Sequence, residues 1–231
     1  MDRTPSPGEL CHERLGDRFA QALSNYDTQR RVEVLIDDFL GPEGLTGRSA
    51  VDVGCGLGFF SARLAQLGAD VLAVDIGPGL VERAKQRAGC RGQVADVLQL
   101  SRQLAQRFDV VVSSECVEHT PDPERAVREL ARVVAPGGVL SLSTPNLLWS
   151  PVVKLATRLR LRPFDGHENF STWGRLRRVL ESEGLVVERE HGLHLFPFQL
   201  PLHRLSRWCD RRLQALRPLM INLCLRARRP A

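Results

Sequence analysis

Lysine is nearly missing from this chain: of 32 basic residues only Lys85 and Lys154 are lysines, an arginine bias that carries little functional weight. There is one tyrosine, against three tryptophans and nine phenylalanines. Aromatics so few, and mostly in apolar context, leave no stacking platform of the kind that nucleic-acid binders present. None of the six cysteines has a partner at CxxC or CxxH spacing, which excludes a zinc ribbon or thioredoxin-type pair and suits reduced thiols in a cytosol. Long apolar runs are lacking too. The longest, such as Phe108 to Ser114 and Val139 to Leu142, fall far short of the ~20 residues a spanning helix needs. The opening MDRTPSPGEL has no apolar stretch of a secretory signal. The expectation is no membrane span, no export and a cytoplasmic location.

What is present is an ordinary globular balance: 231 residues, 43% hydrophobic and 26% charged, enough for one domain with appendages. The charge is unevenly placed. Residues 1–149 carry 16 basic and 20 acidic side chains, residues 150–231 carry 16 and 7, so a net −4 faces a net +9. A basic C-terminal part suits either an anionic partner, such as a phosphate or a lipid surface, or a merely solvated face.

An N-terminal helix is expected over Arg31 to Leu40, with Val32, Leu35, Ile36 and Phe39 at helical spacing, stopped by Gly41-Pro42 and Gly44. Strands and helices then alternate. Strands are expected at Ala50–Val53, Val71–Asp75, Gln93–Ala95, Phe108–Ser114, Val139–Ser143, Leu185–Arg189 and Leu219–Leu225. Helices are expected after Gly58, at Leu80–Arg87, at Pro123–Val134 and at Trp173–Glu183, with a turn at Pro136-Gly137-Gly138. This rhythm predicts an α/β fold with a mostly parallel, doubly wound sheet. Two apolar and basic stretches, 147–166 and 193–218, break it. In the second, Leu202, Leu205, Trp208, Leu213 and Leu216 share one helix face beside Arg204, Arg207, Arg211 and Arg212. Such a helix either packs back onto the domain or seeks a surface.

The first strand runs into Gly54-Cys55-Gly56-Leu57-Gly58. Glycines there permit a tight turn and close backbone approach to a ligand at a helix N-terminus. A dinucleotide fingerprint would place its third glycine at position 59, where Phe59 stands, so a pyrophosphate ligand is disfavoured. Asp75 ends the second strand, where a carboxylate can accept from both hydroxyls of a ribose. Asp96 follows the third, where it can meet an adenine amino group. All three strand ends lie along the sheet edge where open α/β folds bind ligands.

VDVGCGLGFFS, AVDIG, VADV and FDVVVSSECVEHTPDPERAVRELARVVAPGGVLSLSTPN together resemble the class I S-adenosylmethionine-dependent methyltransferases, and within them the ubiquinone-biosynthesis O-methyltransferase group. The resemblance covers about residues 48–146, with a weaker echo through Gly166-His167-Glu168-Asn169-Phe170. It implies a Rossmann-like seven-stranded sheet, the last strand antiparallel, with a helical lid over residues 1–45 and a methyltransferase domain over 46–231. By carry-over, Asp52, Gly54, Gly56 and Gly58 line the methionine part, and Asp75 and Ile76 hold the ribose. Asp96 and Val97 flank the adenine, Glu115 sits near the sulfonium, and Arg31 or Arg30 reaches the donor carboxylate.

Methyl transfer from a sulfonium is an in-line displacement, and a hydroxyl or amine acceptor must also lose a proton. Glu115-Cys116-Val117-Glu118-His119 offers two chemistries. If a helical turn begins at Glu115, offsets of three and four put Glu118 and His119 beside it as ligands for Mg²⁺ or Zn²⁺, the role the resemblance implies. Otherwise His119 serves as an acceptor-side base, or the run is structural. Asn146, just after the fifth strand, and His167, before Phe170, lie where the resemblance implies the acceptor pocket, and His167 is a further catalytic candidate. The leading expectation is O-methylation of a small hydroxylated acceptor, lipophilic or phosphorylated, with a possible peripheral membrane contact. The alternatives are an N-methyltransferase without metal and a nucleic-acid binder or RNA methylase. The last is disfavoured, because SSEC stands where base-modifying enzymes carry an N-P-P-[YF] type motif.

Overall fold

The computed structural model describes residues 25–41, 44–158, 168–197 and 202–231. Seven strands form one sheet: β1 (Ser49–Val53), β2 (Asp70–Asp75), β3 (Arg91–Val94), β4 (Phe108–Ser114), β5 (Val134–Pro145), β6 (Val186–Leu193) and β7 (Asn222–Arg228). Their order is β3-β2-β1-β4-β5-β7-β6, parallel except for β7, which runs antiparallel to both its neighbours. The helices are α1 (Asn25–Val32), α2 (Phe59–Gln66), α3 (Pro78–Ala88), the short α4 (Leu100–Gln103), α5 (Pro123–Arg132), α6 (Ser150–Arg158), α7 (Trp173–Ser182) and α8 (His203–Arg212).

Period-two alternation divides the apolar side chains between two cores. Val51, Val53, Val111, Leu140 and Leu142 face one layer, with Val127 and Leu130 of α5 and Val179 and Leu180 of α7. Ala50, Val110, Val112 and Val139 face the other, with Leu64 of α2 and Leu35 and Ile36. Burial on both faces explains the near-continuous apolar reading of β4.

Two elements differ from the sequence expectation, and a third shows which face of its helix packs. The N-terminal helix is already formed at Asn25, the first described residue, and widens into a π-helical turn over Glu33–Asp38, where Val34, Leu35 and Ile36 are all buried. The expected turn at 136–138 is absorbed as an irregularity within the longer β5, whose register with β4 shifts between Phe108 and Val110. In the 193–218 stretch, α8 lies with its polar face inward. Ser206, Cys209 and Asp210 are buried, while Leu202, Leu205 and Trp208 are exposed.

Candidate active site

The carboxyl ends of β1 to β5 and the start of β7 open into a cavity of about 540 Å³. After β1, the N–H groups of Gly54 and Cys55 both donate to the carbonyl of Val74, folding the loop back onto β2. Gly54 stands at φ 74, and a Cβ there would lie 2.5 Å from Sγ of Cys116, so only glycine fits. The loop is also held by Asp75, whose Oδ2 accepts from the N–H of Gly56 and whose Oδ1 accepts from that of Gly77, each at 3.0 Å. These bonds orient a buried carboxylate along the cavity wall, beside Ile76. After β3, Asp96 accepts from the N–H of Leu98 at 2.9 Å and stands with Ala95 and Val97 on the same wall.

The floor beneath β4 is charged. Arg31 of α1 is 5% exposed, paired through Nε and NH2 with Oδ2 of Asp27 and through NH1 with Oγ of Ser114 at 2.7 Å. Burial works against the charge of Arg31, but Asp27 and Glu115 outweigh it and push its pKa up. Glu115 occupies left-handed backbone at φ 51, rare for a side chain of this size. Its carboxylate accepts from Oγ of Ser143 at 2.9 Å, and burial pushes its pKa up against the pull of Arg31. Glu118, 1% exposed, accepts from Oγ1 of Thr144 at 3.0 Å, and burial together with neighbouring Glu115 drives its pKa well above the carboxylate range. His119 reaches the cavity with its side chain about a fifth exposed.

The far wall is apolar: Trp149, Val152, Val153, Ala156, Phe170, Pro197 and Ile221. It is tied to the charged floor through Asn169, whose N–H donates to the carbonyl of Glu118 and whose Nδ2 donates to that of Thr120, each at 2.8 Å.

Most sequence candidates meet here: Gly54, Gly56, Asp75, Ile76, Asp96, Val97, Glu115, Glu118, His119 and Arg31 all line the cavity. Others do not. Asp52 points behind the wall, where it accepts from Oγ of Ser61 at 2.6 Å; burial pushes its pKa up to about 7. Gly58, at φ 77, packs where a Cβ would lie 2.6 Å from Cα of Ala84, so it serves the approach of α2 to α3. Arg30 turns to Glu33 and Asp210, which leaves Arg31 as the arginine at the cavity. Asn146 lies behind the acceptor wall, its Nδ2 donating to the carbonyls of Pro218 and Met220. His167 and residues 1–24 of the expected lid lie outside the described residues.

The expected metal triad does not assemble. The helical turn begins at Val117, not Glu115, and Nε2 of His119 stands 3.8 Å from Oε1 of Glu118. Glu115 is turned to Ser143 and Glu118 to Thr144, and among the described residues no group of three His, Cys, Asp or Glu side chains converges as a ligand set. Sequence reasoning missed Asp27, Thr28 and Trp149, which also line the cavity. The four-residue spacing of Asp27 and Arg31 on one helix was the available signal for the first.

Residues 51–142 match the family described as a methyltransferase domain. A ubiquinone biosynthesis O-methyltransferase of a Methylobacterium species is 35% identical over 204 residues, covering 84% of this chain and 78% of its own. One from Coxiella burnetii is 34% identical over 166 residues, covering 67% and 70%. Among solved structures, the magnesium protoporphyrin IX methyltransferase of Synechocystis with bound S-adenosylhomocysteine superposes with a TM-score of 0.69 at 20% identity, over 95% of this chain and 96% of that one. No helix among the described residues is long and apolar enough to cross a membrane.

Proposed function

We propose an acceptor and a set of residue roles for a chain that belongs to the class I S-adenosylmethionine-dependent methyltransferases, in the ubiquinone biosynthesis O-methyltransferase family. The protein is an S-adenosylmethionine-dependent methyltransferase. Its reaction is O-methylation of a small, lipophilic, hydroxylated acceptor, the reading that the names of its relatives favour.

The cavity suits the donor in its donor set. Asp75 offers a fixed carboxylate to the ribose hydroxyls, Asp96 and the N–H groups after it face the adenine, and Leu80, Ala95 and Val97 give the ring an apolar slot. Arg31 supplies a guanidinium to the amino-acid carboxylate, and the Gly54–Gly56 backbone leaves room for the chain between. The donor, when bound, supplies an electrophilic methyl group on sulfur. The protein's share is to align the acceptor oxygen behind that carbon and remove its proton.

His119 takes that proton. It lies at the cavity between the charged floor and the apolar wall, and an imidazole can accept a proton near neutral pH. Glu118, whose pKa burial and the neighbouring Glu115 push upward, shapes the floor beside it. Glu115, Glu118 and His119 do not converge as a ligand set for a divalent ion.

One observation carries the choice of acceptor: Trp149, Val152, Val153, Ala156, Phe170 and Pro197 make one wall mostly apolar, with Glu168 its one acidic side chain. It would desolvate a phosphate without compensation, so a lipophilic ring fits better than a phosphorylated one. Exposed Leu148, Val152 and Leu155 beside it, with exposed Leu205, Trp208 and Arg204 on α8, suit delivery from an anionic lipid surface. A panel of prenylated catechols, short-chain catechols, sugar phosphates and amines, read out as S-adenosylhomocysteine released, tests this. Prenylated catechols are expected to turn over fastest; preference for an amine or a sugar phosphate would refute it.

A further inference from the structure

A buried polar cluster runs from the cavity lining on α1 to His194, just after β6. The Asp27 carboxylate joins Arg31 to His194. Oδ2 accepts from Nε and NH2 of Arg31 at 3.1 and 2.8 Å, and Oδ1 faces Nε2 of His194 at 3.0 Å. Burial raises the Asp27 pKa, but Arg31 and His194 outweigh it and hold the carboxyl at about 2. Asp27 is therefore an anion, and Nε2 of His194 is the donor between them.

His194 is fully buried and stands at φ 63, a backbone conformation that persists only where its surroundings over-determine it. Here they do. Its N–H donates to Oδ1 of Asp210 on α8 at 2.9 Å, and its carbonyl accepts from the N–H of Ile221, just ahead of β7 and on the cavity wall. At the other end of the relay, Arg31 spends one hydrogen on Ser114 and two on Asp27. Two of its five N–H groups remain for the cavity it lines.

We propose that His194 is a positioning residue for the donor site. Through Asp27 it fixes the guanidinium of Arg31 for the donor's carboxylate, so that donor affinity depends on the seating of the segment that carries α8. The proposal rests on the assignment of Arg31 to that carboxylate. Without the Nε2–H of His194, the buried Asp27 carboxylate loses a donor. The shortest remedy is for Arg31 to swing inward and cover both oxygens, which withdraws it from the cavity.

Calorimetry on the full chain with two ligands tests this: S-adenosylhomocysteine, and 5′-methylthioadenosine, which keeps the adenosine and sulfur but lacks the carboxylate. His194→Ala is expected to weaken S-adenosylhomocysteine about tenfold, the scale of one hydrogen bond to a charged group, and to leave 5′-methylthioadenosine within about twofold. His194→Gln, which keeps an N–H donor, is expected to recover most of the loss. In an Arg31→Ala background, His194→Ala should have no further effect. An equal loss for both ligands, or a loss that persists without Arg31, would overturn the positioning role. If Arg31→Ala alone leaves S-adenosylhomocysteine affinity unchanged, the carboxylate assignment itself fails, a result separable from the others.

Discussion

The two halves of the cavity are built in different ways. On the donor side, carboxylates at strand ends are clamped by backbone N–H groups: Asp75 by Gly56 and Gly77, Asp96 by Leu98. On the acceptor side, the wall is apolar side chains on α6 and the segment before α7, with exposed Leu148, Val152 and Leu155 continuing it outward. A clamped polar half demands one ligand geometry, whereas an apolar half selects by volume and greasiness and tolerates variation. This difference teaches where specificity for the donor is fixed and where specificity for the acceptor can drift.

Substitutions should separate the halves. The largest effect is expected from His119→Ala, which should lower turnover about 10²–10⁴-fold, the usual worth of a general base, while S-adenosylhomocysteine affinity measured by calorimetry stays put. A loss of donor affinity instead would move His119 to the other half.

Asp52 lies behind the donor half and gives a pH signature. Its pKa rises from 3.8 to about 7, burial being the main cause. Unfolded chain thus releases this proton near pH 4 while folded chain keeps it to about pH 7, so stability falls as pH climbs through that window and levels off above it. Urea unfolding should show wild type losing up to about 4 kcal/mol relative to Asp52→Asn between those limits. Parallel curves would show that Asp52 ionises normally.

Asp75→Ala should weaken S-adenosylhomocysteine about 100-fold, from two lost charge-assisted hydrogen bonds. An unchanged affinity would remove the ribose assignment. Phe170→Ala, by contrast, should raise the acceptor KM about tenfold through lost apolar burial and leave donor binding alone. The smallest effect belongs to Trp208→Ser, which should cut co-sedimentation with anionic vesicles several-fold without touching turnover of a water-soluble acceptor.

Legibility in the sequence follows the same division. The donor half could be read because its residues sit at strand ends, and strand ends are marked by a change from apolar run to glycine or aspartate. Gly54, Asp75 and Asp96 announce themselves this way. The mostly parallel sheet followed from the same alternation, and the antiparallel final strand from the family resemblance. Asp52 misled because a carboxylate on the penultimate residue of β1 faces the opposite layer from the cavity, a matter of one residue in a period of two. The acceptor half could not be read. Trp149 and Phe170 look like core residues in any window, and periodicity marks the apolar face of α8 without deciding whether it packs: Ser206 and Asp210 are buried while Leu205 and Trp208 face out. The metal expectation finds no support in the geometry: Glu115 stands in left-handed backbone, and the helical turn begins two residues later, at Val117.

The position of β7 has a consequence for how the chain is made. β6 pairs in the sheet with β7, and β7 alone lies between it and β5. As the polypeptide leaves the ribosome, β1 to β5 can join in order, but Val186–Leu193 must wait until Asn222–Arg228 emerges to bridge the gap. The strand ends that carry Asp75 and Asp96 are thus in place early, and the His194 segment that seats Arg31 through Asp27 locks in only when the last strand closes the sheet.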